Sequence, residues 1–109
     1  MRQYEIWWAD LPRPIGRRPV LLLSRDAAYE YLAGVVVVEV TSTVRDIPVE
    51  VRLGSAEGLR RVSVANFDNV HVIPRRLPKS RIGRLRESRI GEAKRALGFA
   101  LGWPELKAL

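Results

Sequence analysis

The sequence predicts a mainly β protein, a small twisted barrel or half-barrel of five or six short strands closed by one C-terminal helix. The chain has 109 residues, the length of a single domain with one modest core. In its first two thirds, apolar or alternating runs recur about every 8–12 residues between turn-forming residues, which is typical of small β barrels. After Pro78 the apolar period becomes that of a helix.

Six segments are predicted as strands from their apolar or alternating pattern. They are Tyr4–Ala9, Pro19–Arg25, Val35–Thr41, Val49–Leu53, Val62–Ala65 and Val70–Pro74. The second segment is apolar on both faces, which predicts a central position in the sheet. The third holds four consecutive valines, and β-branched residues favour strands. Because Glu39 and Thr41 interrupt its apolar face, Thr41 is expected where this strand emerges toward solvent.

The connecting segments are predicted from their turn-forming residues. Leu11–Gly16 holds two prolines and a glycine and is predicted to be a loop. Asp26–Gly34 is long enough for one helical turn, with Asp26 as its cap. Gly54–Gly58 is predicted as a turn, and Asn66–Asn69 as a bend that separates the last two strands.

One helix is predicted near the C-terminus, because apolar residues fall there at i, i+3, i+7, i+10 and i+11. The residues of this face are Ile90, Ala93, Leu97, Ala100 and Leu101. Ser88 is the predicted N-cap of the helix, and Gly102, followed by Trp103 and Pro104, is predicted to end it.

The scarce residue types exclude several kinds of site. The chain has no cysteine and a single histidine, which excludes thiolate zinc sites, cysteine nucleophiles and two-histidine ribonuclease sites. That histidine, His71, lies between two valines of a strand and is predicted to be structural. The aspartates are scattered singly, so neither a metal site nor a cofactor is predicted. Without a membrane-length apolar run or a signal-peptide pattern, a cytoplasmic protein is expected.

Positive charge is concentrated in one part of the chain. Residues 75–95 hold nine Arg or Lys residues against two Glu, whereas residues 1–74 hold nine residues of each sign. Sixteen of the 19 basic residues are arginine, whose planar guanidinium group matches phosphate. Nucleic acid is therefore the first partner that the composition indicates, with a solvated basic face as the alternative.

The most specific motifs lie at the start of the chain. Glu-Ile-Trp stands within Glu5–Leu11, and Gly-Arg-Arg-Pro-Val-Leu-Leu-Leu-Ser stands within Ile15–Arg25. Shorter motifs follow at residues 40–43, 47–51 and 64–70, and the last is the helix before Gly102. In this order the motifs resemble the MazF/PemK toxins, which are mRNA endoribonucleases of bacterial type II toxin–antitoxin pairs. The chain departs from better-known members in its first loop, which is short where theirs is longer and glycine-rich.

The resemblance implies a fold, partners and two catalytic positions. The fold is an SH3-like barrel with a terminal helix, usually a homodimer, in agreement with the strands predicted above. The arginine of the Arg-Pro-Val motif falls on Arg18, and the threonine or serine that ends the third long strand falls on Thr41. A cognate antitoxin is also implied, whose acidic and initially disordered segment folds onto the basic surface.

The chemistry expected of such a site is attack by the 2′-OH of single-stranded RNA on the adjacent phosphorus, giving a 2′,3′-cyclic phosphate and a 5′-OH end. Arg18 is predicted to clamp the transition-state charge, and Thr41 to orient the phosphate or the 2′-OH. Further RNA contacts are predicted for Arg17, Ser42, Thr43, Asn66, Asp68, Arg75 and Arg76. Trp7, Trp8 and Phe67 are candidates for stacking on bases, with core or dimer packing expected for at least two of them.

Two other functions fit the same fold. A CcdB-like toxin binds DNA gyrase without catalysis, and a plain RNA-binding barrel would use the basic stretch alone. The presence of both Arg18 and Thr41 favours the nuclease.

Overall fold

The computed structural model describes all 109 residues, whose strands form one antiparallel sheet that curls into a half-barrel. The strands are β1 (Glu5–Asp10), β2 (Arg17–Leu22), β3 (Gly34–Thr41), β4 (Glu50–Leu53), β5 (Ser63–Pro74) and β6 (Pro78–Arg84). The helices are α1 (Ala28–Tyr31), α2 (Ile90–Leu101) and α3 (Pro104–Lys107), and single 3₁₀ turns lie at Ser55–Glu57 and Glu87–Arg89. The order in the sheet is β4-β5-β3-β2-β1-β6. The predicted fold class and the central position of the second strand are confirmed.

Strand alternation divides the core between the two faces of the sheet. Val38 and Val40 of β3 belong to the larger cluster, which packs against α2, whereas Val35 and Val37 belong to the smaller cluster with Tyr29 of α1. Successive side chains of a strand point to opposite faces. Thr41, at the end of β3, therefore continues the face of Val35 and Val37.

The strand β5 differs most from the prediction. Residues 62–65 and 70–74 do not form two strands separated by a bend, because Ser63–Pro74 is one continuous strand. Val38 of β3 pairs with Val70, and Val40 pairs with Ala65, so one residue of β3 lies opposite four residues of β5. This bulge replaces the predicted bend. On the other side of β5, Asn66 pairs with Glu50 of β4 and Phe67 donates its N–H to the carbonyl of Val49, so the first half of the bulge stays bonded to its neighbour.

The edge strand β6 was not predicted. Its sequence, Pro-Lys-Ser-Arg-Ile-Gly-Arg, has little apolar alternation, and most of its side chains are exposed. The strand exists because its backbone pairs with β1. Backbone pairing of this kind leaves no periodic signal in the side chains, and the segment was interpreted only as basic.

Two predicted helix caps are wrong and one is confirmed. Asp26 does not cap α1, because its Oδ1 accepts a hydrogen bond from the backbone N–H of Gln3. Ser88 lies in the 3₁₀ turn before α2 and provides no cap. Gly102 ends α2 in the left-handed conformation, as predicted, whereas Leu101 is half-exposed and does not complete the predicted buried face. None of the helices is both long and apolar enough to cross a bilayer.

Candidate active site

Arg18 lies inside a strand. β2 begins at Arg17, two residues before the predicted start at Pro19, because Ala9 of β1 pairs with Arg18. The predicted loop before it is closed by a hydrogen bond from Leu11 N–H to the carbonyl of Gly16. Pairing with β1 therefore fixes the backbone of Arg18.

The register between β2 and β3 brings the two implied catalytic positions together. The pairing of β2 with β3 ends at Val20 and Glu39, and Arg18 and Thr41 each lie two residues beyond this pair, toward the same end of the sheet. The two positions thus lie at the same end of neighbouring strands, although 23 positions separate them in sequence.

A cavity of about 780 Å³ opens at this end of the two strands. Its lining brings four arginines together with three hydroxyl residues: Arg17, Arg18, Arg60, Arg61, Thr41, Ser42 and Ser63. Trp8 also lines the cavity, and the guanidinium carbon of Arg17 lies 4.6 Å from the centre of its ring. Such stacking holds the cation in place and leaves its N–H groups free for a ligand. The cavity is built to receive an anionic ligand.

The other predicted RNA-contacting residues lie outside this cavity. Thr43 donates its backbone N–H to Oγ1 of Thr41 at 3.2 Å, so it supports the site without lining it. Asn66 is buried and its Oδ1 accepts the N–H of Asp68, which is exposed. Arg75 and Arg76 follow β5, and Arg75 donates to the carbonyl of Tyr29 at 3.2 Å.

The aromatic candidates separate in the structure. Phe67 is 2% exposed and belongs to the larger core cluster, and Trp7 packs against the smaller cluster. The Nε1 of Trp7 donates to Glu5 at 3.1 Å. Of the three, Trp8 lines the cavity, which agrees with the expectation of packing roles for at least two.

Arg60 and Arg61 were missed by the sequence analysis. Their doublet is visible in the sequence, but they lie in a stretch of zero net charge, and nothing local indicates that this stretch meets β2. The turn before them packs on β6: Gly58 has φ +92°, and a Cβ there would lie 2.5 Å from the carbonyl oxygen of Ile82. Close backbone approach thus sets the position of both arginines.

The same turn is anchored by a buried carboxylate. Glu57 is 4% exposed; its Oε1 accepts the N–H of Gly54 at 2.6 Å, and its Oε2 lies 3.3 Å from Nη1 of Arg89. Arg89 also donates to both oxygens of Glu92 at 2.7 and 2.9 Å. These hydrogen bonds lower the pKa of Glu92 and raise that of Arg89. The start of α2 thereby holds the turn that carries Arg60.

The basic stretch of residues 75–95 is therefore not one free surface. Five of its nine basic side chains contact groups within the chain: Arg75, Arg81, Arg84, Arg89 and Arg95. Arginines from the neutral part of the sequence line the cavity instead. Charge density along the chain was a poor guide to charge density in space.

Arg18 has one carboxylate partner. Its Nη1 donates to Oε1 of Glu39 at 3.1 Å, and Oε2 of Glu39 lies 2.9 Å from Nε2 of His71. The His71 contact has ion-pair distance without the alignment of a hydrogen bond. Sequence reasoning placed neither residue at the site, because Glu39 and His71 are 32 positions apart and meet only through the pairing of β3 with β5. No three His, Asp or Glu side chains lie close enough together to hold a metal ion.

Three comparisons with known proteins agree with this architecture. A family model for the PemK-like, MazF-like toxins of type II toxin–antitoxin systems matches residues 2–101. The chain is 40% identical over 103 residues, 94% of its length and 99% of the relative's, to a probable endoribonuclease MazF2 of Mycobacterium tuberculosis. The M. tuberculosis toxin MazF-mt6 superposes with a TM-score of 0.84 at 34% identity, covering 90% of this chain and 96% of that one.

An endoribonuclease from a mycobacterial species, solved in complex with its cognate antitoxin, superposes with a TM-score of 0.83 at 29% identity. This match covers 95% of the present chain and 97% of the neighbour. The resemblance noted in the sequence is confirmed by both the family match and the structural neighbours. The chain belongs to the PemK-like, MazF-like toxins of type II toxin–antitoxin systems.

Proposed function

We propose that this endoribonuclease toxin cleaves single-stranded RNA through the substrate's own 2′-OH, with Arg18 and Thr41 as the catalytic pair. The observation that carries the proposal is that Arg18 of β2 and Thr41 of β3 line the same arginine-rich cavity. The 2′-oxygen forms a bond to phosphorus while the bond from phosphorus to the 5′-oxygen breaks. The 2′-proton passes to water and the leaving 5′-oxygen takes a proton from water, so the products are a 2′,3′-cyclic phosphate and a 5′-OH end.

The two residues have different roles in this reaction. Negative charge grows on the non-bridging oxygens in the transition state, and the guanidinium group of Arg18 donates charged hydrogen bonds to them. Arginine keeps its proton under all ordinary conditions, so Arg18 acts as a clamp rather than as an acid or base. Thr41 has a hydroxyl that both donates and accepts, which suits it to orient the phosphate or the attacking 2′-OH.

Cleavage is expected to persist in EDTA, because this chemistry needs no bound metal ion. The measurement is incubation of the purified protein with a mixed-sequence RNA in excess EDTA, followed by direct kinase labelling of the new 5′-OH ends. DNA of the same sequence serves as the control and stays intact, since it lacks the 2′-OH. A strict requirement for magnesium or manganese would contradict the mechanism. Binding without fragments would identify a plain RNA-binding barrel.

Arg60 and Arg61 are expected to bind phosphates on either side of the cleaved bond. They line the cavity, and neither guanidinium group has a partner in the chain. Replacing both with glutamine should weaken RNA binding and reduce the slope of log affinity against log salt by about 0.7 for each lost contact to a single strand. Arg75 and Arg76, predicted as RNA contacts outside the cavity, provide the matched pair. An equal or larger loss for that pair would move the RNA path away from the cavity.

We also propose two protein partners, a second copy of the chain and an acidic antitoxin segment. Four large apolar side chains of the C-terminal segment are about half-exposed: Phe99, Leu101, Trp103 and Leu109. An apolar surface of this kind favours a symmetric dimer, and the arginine-lined cavity favours an acidic peptide. Sedimentation should give twice the 12.4 kDa mass of the chain, and a heavier complex after co-expression with the neighbouring reading frame. A monomer at micromolar concentrations would contradict the dimer.

Because mRNA is the substrate, the proposed place of action is the cytoplasm.

A further inference from the structure

Glu39 connects three neighbouring strands of the sheet at the candidate site. It lies on β3 between Arg18 of β2 and His71 of β5, and each of its carboxylate oxygens meets one of them, at 3.1 and 2.9 Å. Its side chain is 12% exposed, whereas those of Arg18 and His71 are 36% and 40% exposed. The carboxylate is thus nearly enclosed by two partners that reach toward solvent.

This arrangement restrains the guanidinium group of Arg18 and leaves most of its N–H donors free. A free arginine side chain samples many rotamers, and a ligand contact must overcome the entropy that is lost when the side chain is ordered. The contact with Glu39 uses one of the five N–H donors of Arg18, and four remain for a phosphate. The group is therefore held in one orientation before RNA arrives.

Glu39 is itself held in position. It lies at the bulge where β3 faces four residues of β5, and His71 of β5 contacts the oxygen that Arg18 does not use. Nε2 of His71 is buried and has no aligned hydrogen bond, and Oε2 of Glu39 lies 2.9 Å from it. The bulge and His71 together hold the carboxylate of Glu39 beside the guanidinium group of Arg18.

We propose that Glu39, supported by His71, is a positioning residue that aims the guanidinium group of Arg18 at the cleaved phosphate. The inference rests on the proposed function, in which Arg18 is the clamp. A negative charge beside Arg18 weakens its attraction for any phosphate, so Glu39 works against ground-state binding of RNA. Its benefit lies in the transition state, where orientation matters most. The effect of removing it should therefore appear in kcat and not in KM.

The test is Glu39→Gln, which keeps the size of the side chain and removes its charge. We expect kcat to fall about 10- to 100-fold, because misplacement by about 1 Å is enough to cost that much. KM for RNA should stay the same or decrease, because the neutral amide no longer offsets the positive charge of Arg18 that attracts phosphate. Glu5→Gln is the matched control: Glu5 is also a strand carboxylate, 15% exposed and 2.9 Å from an arginine, Arg81, that does not line the cavity. The control should keep the kcat of the unmodified protein.

A double-mutant comparison separates positioning from a general structural effect. In an Arg18→Ala background, Glu39→Gln should change the residual rate by less than about twofold, because its target is gone. His71→Leu should lower kcat in the same direction as Glu39→Gln, by a smaller factor. If the Glu39→Gln variant is less stable, NMR provides a readout that does not depend on the rate. The Nε–Hε group of Arg18 should be more mobile in this variant than in the unmodified protein.

The outcomes distinguish this inference from the proposed function. If Arg18→Ala is inactive while Glu39→Gln has the kcat of the unmodified protein, the clamp stands and the positioning role is wrong. If Glu39→Gln lowers the rate equally in the presence and absence of Arg18, the effect does not pass through Arg18, and the inference is overturned. If the unmodified protein does not cleave RNA in EDTA, the proposed function itself fails.

Discussion

Arg18→Lys is expected to lower kcat at saturating RNA by about 10²–10³-fold, the usual loss when one donor to a developing oxyanion is removed. Lysine keeps the positive charge, so most of the RNA affinity should remain. It lacks the planar, two-pronged geometry that contacts two phosphate oxygens at once, and the proposed clamp depends on this geometry. The measurement is single-turnover cleavage together with a binding titration of the same RNA.

The controls for this prediction lie on the neighbouring strand and in the following loop. Thr41→Ala should lose somewhat less rate than Arg18→Lys, and Thr41→Ser should retain activity if the hydroxyl alone is needed. Arg25→Lys, an exposed position outside the cavity, should leave kcat unchanged. Two results together would contradict this assignment: Arg18→Lys turns over at the wild-type rate, and turnover is lost when Arg75, Arg76 and Arg81 are neutralised together. They would place the chemistry in the C-terminal third.

Phe67→Ala is expected to destabilise the protein by about 3–5 kcal/mol, the usual cost of emptying a buried aromatic site. Phe67 is 2% exposed, packs in the larger core cluster, and donates its backbone N–H to the carbonyl of Val49 at 2.8 Å. Urea or thermal unfolding measures the loss. RNA affinity of the folded fraction should stay close to that of the unmodified protein, because the ring does not reach the cavity.

Trp8→Ala is the companion variant and should have the opposite effects: a loss of RNA affinity with a smaller loss of stability. Trp8 lines the cavity beneath Arg17, so its loss should reduce RNA binding by about 1–3 kcal/mol for each base that stacks on it. Its effect on the free energy of unfolding should be smaller than that of Phe67→Ala, because its ring is only partly buried. If Phe67→Ala lost RNA affinity without losing stability, the assignment of Phe67 to the core would be wrong.

The strands rich in valine and leucine were predictable because their own side chains carry the signal. Val35–Thr41 was predicted with β-branched residues and a clean alternation, and the structure has β3 at Gly34–Thr41 with the predicted faces. Gly102 was predictable as the end of α2 for an equally local reason, since a glycine is favoured in the left-handed conformation that it adopts there.

The errors arose where distant pairing overrides local signals. Asn66–Asn69 has the composition of a turn, but these residues lie within the continuous strand β5, whose Asn66 pairs with β4, and the break appears as a bulge against β3. The edge strand β6 depends on backbone hydrogen bonds to β1, to which its exposed side chains contribute no pattern. Ser88 has the chemistry of a cap, but the 3₁₀ turn containing it delays the start of α2 to Ile90.

The sequence by itself determined the mainly β fold, the family and the residue types of the implied catalytic pair, because each depends on local periodicity or on contiguous motifs. Only the tertiary structure decided which charges share the site. Arg60 and Arg61 reach the cavity because glycine contacts and the buried Glu57 hold their turn against the sheet. Glu39 reaches Arg18, and His71 reaches Glu39, because the registers of β2, β3 and β5 bring them together. Electrostatic interactions depend on distance in space, and the spacing of residues along the chain carries no information on that distance until the strands have paired.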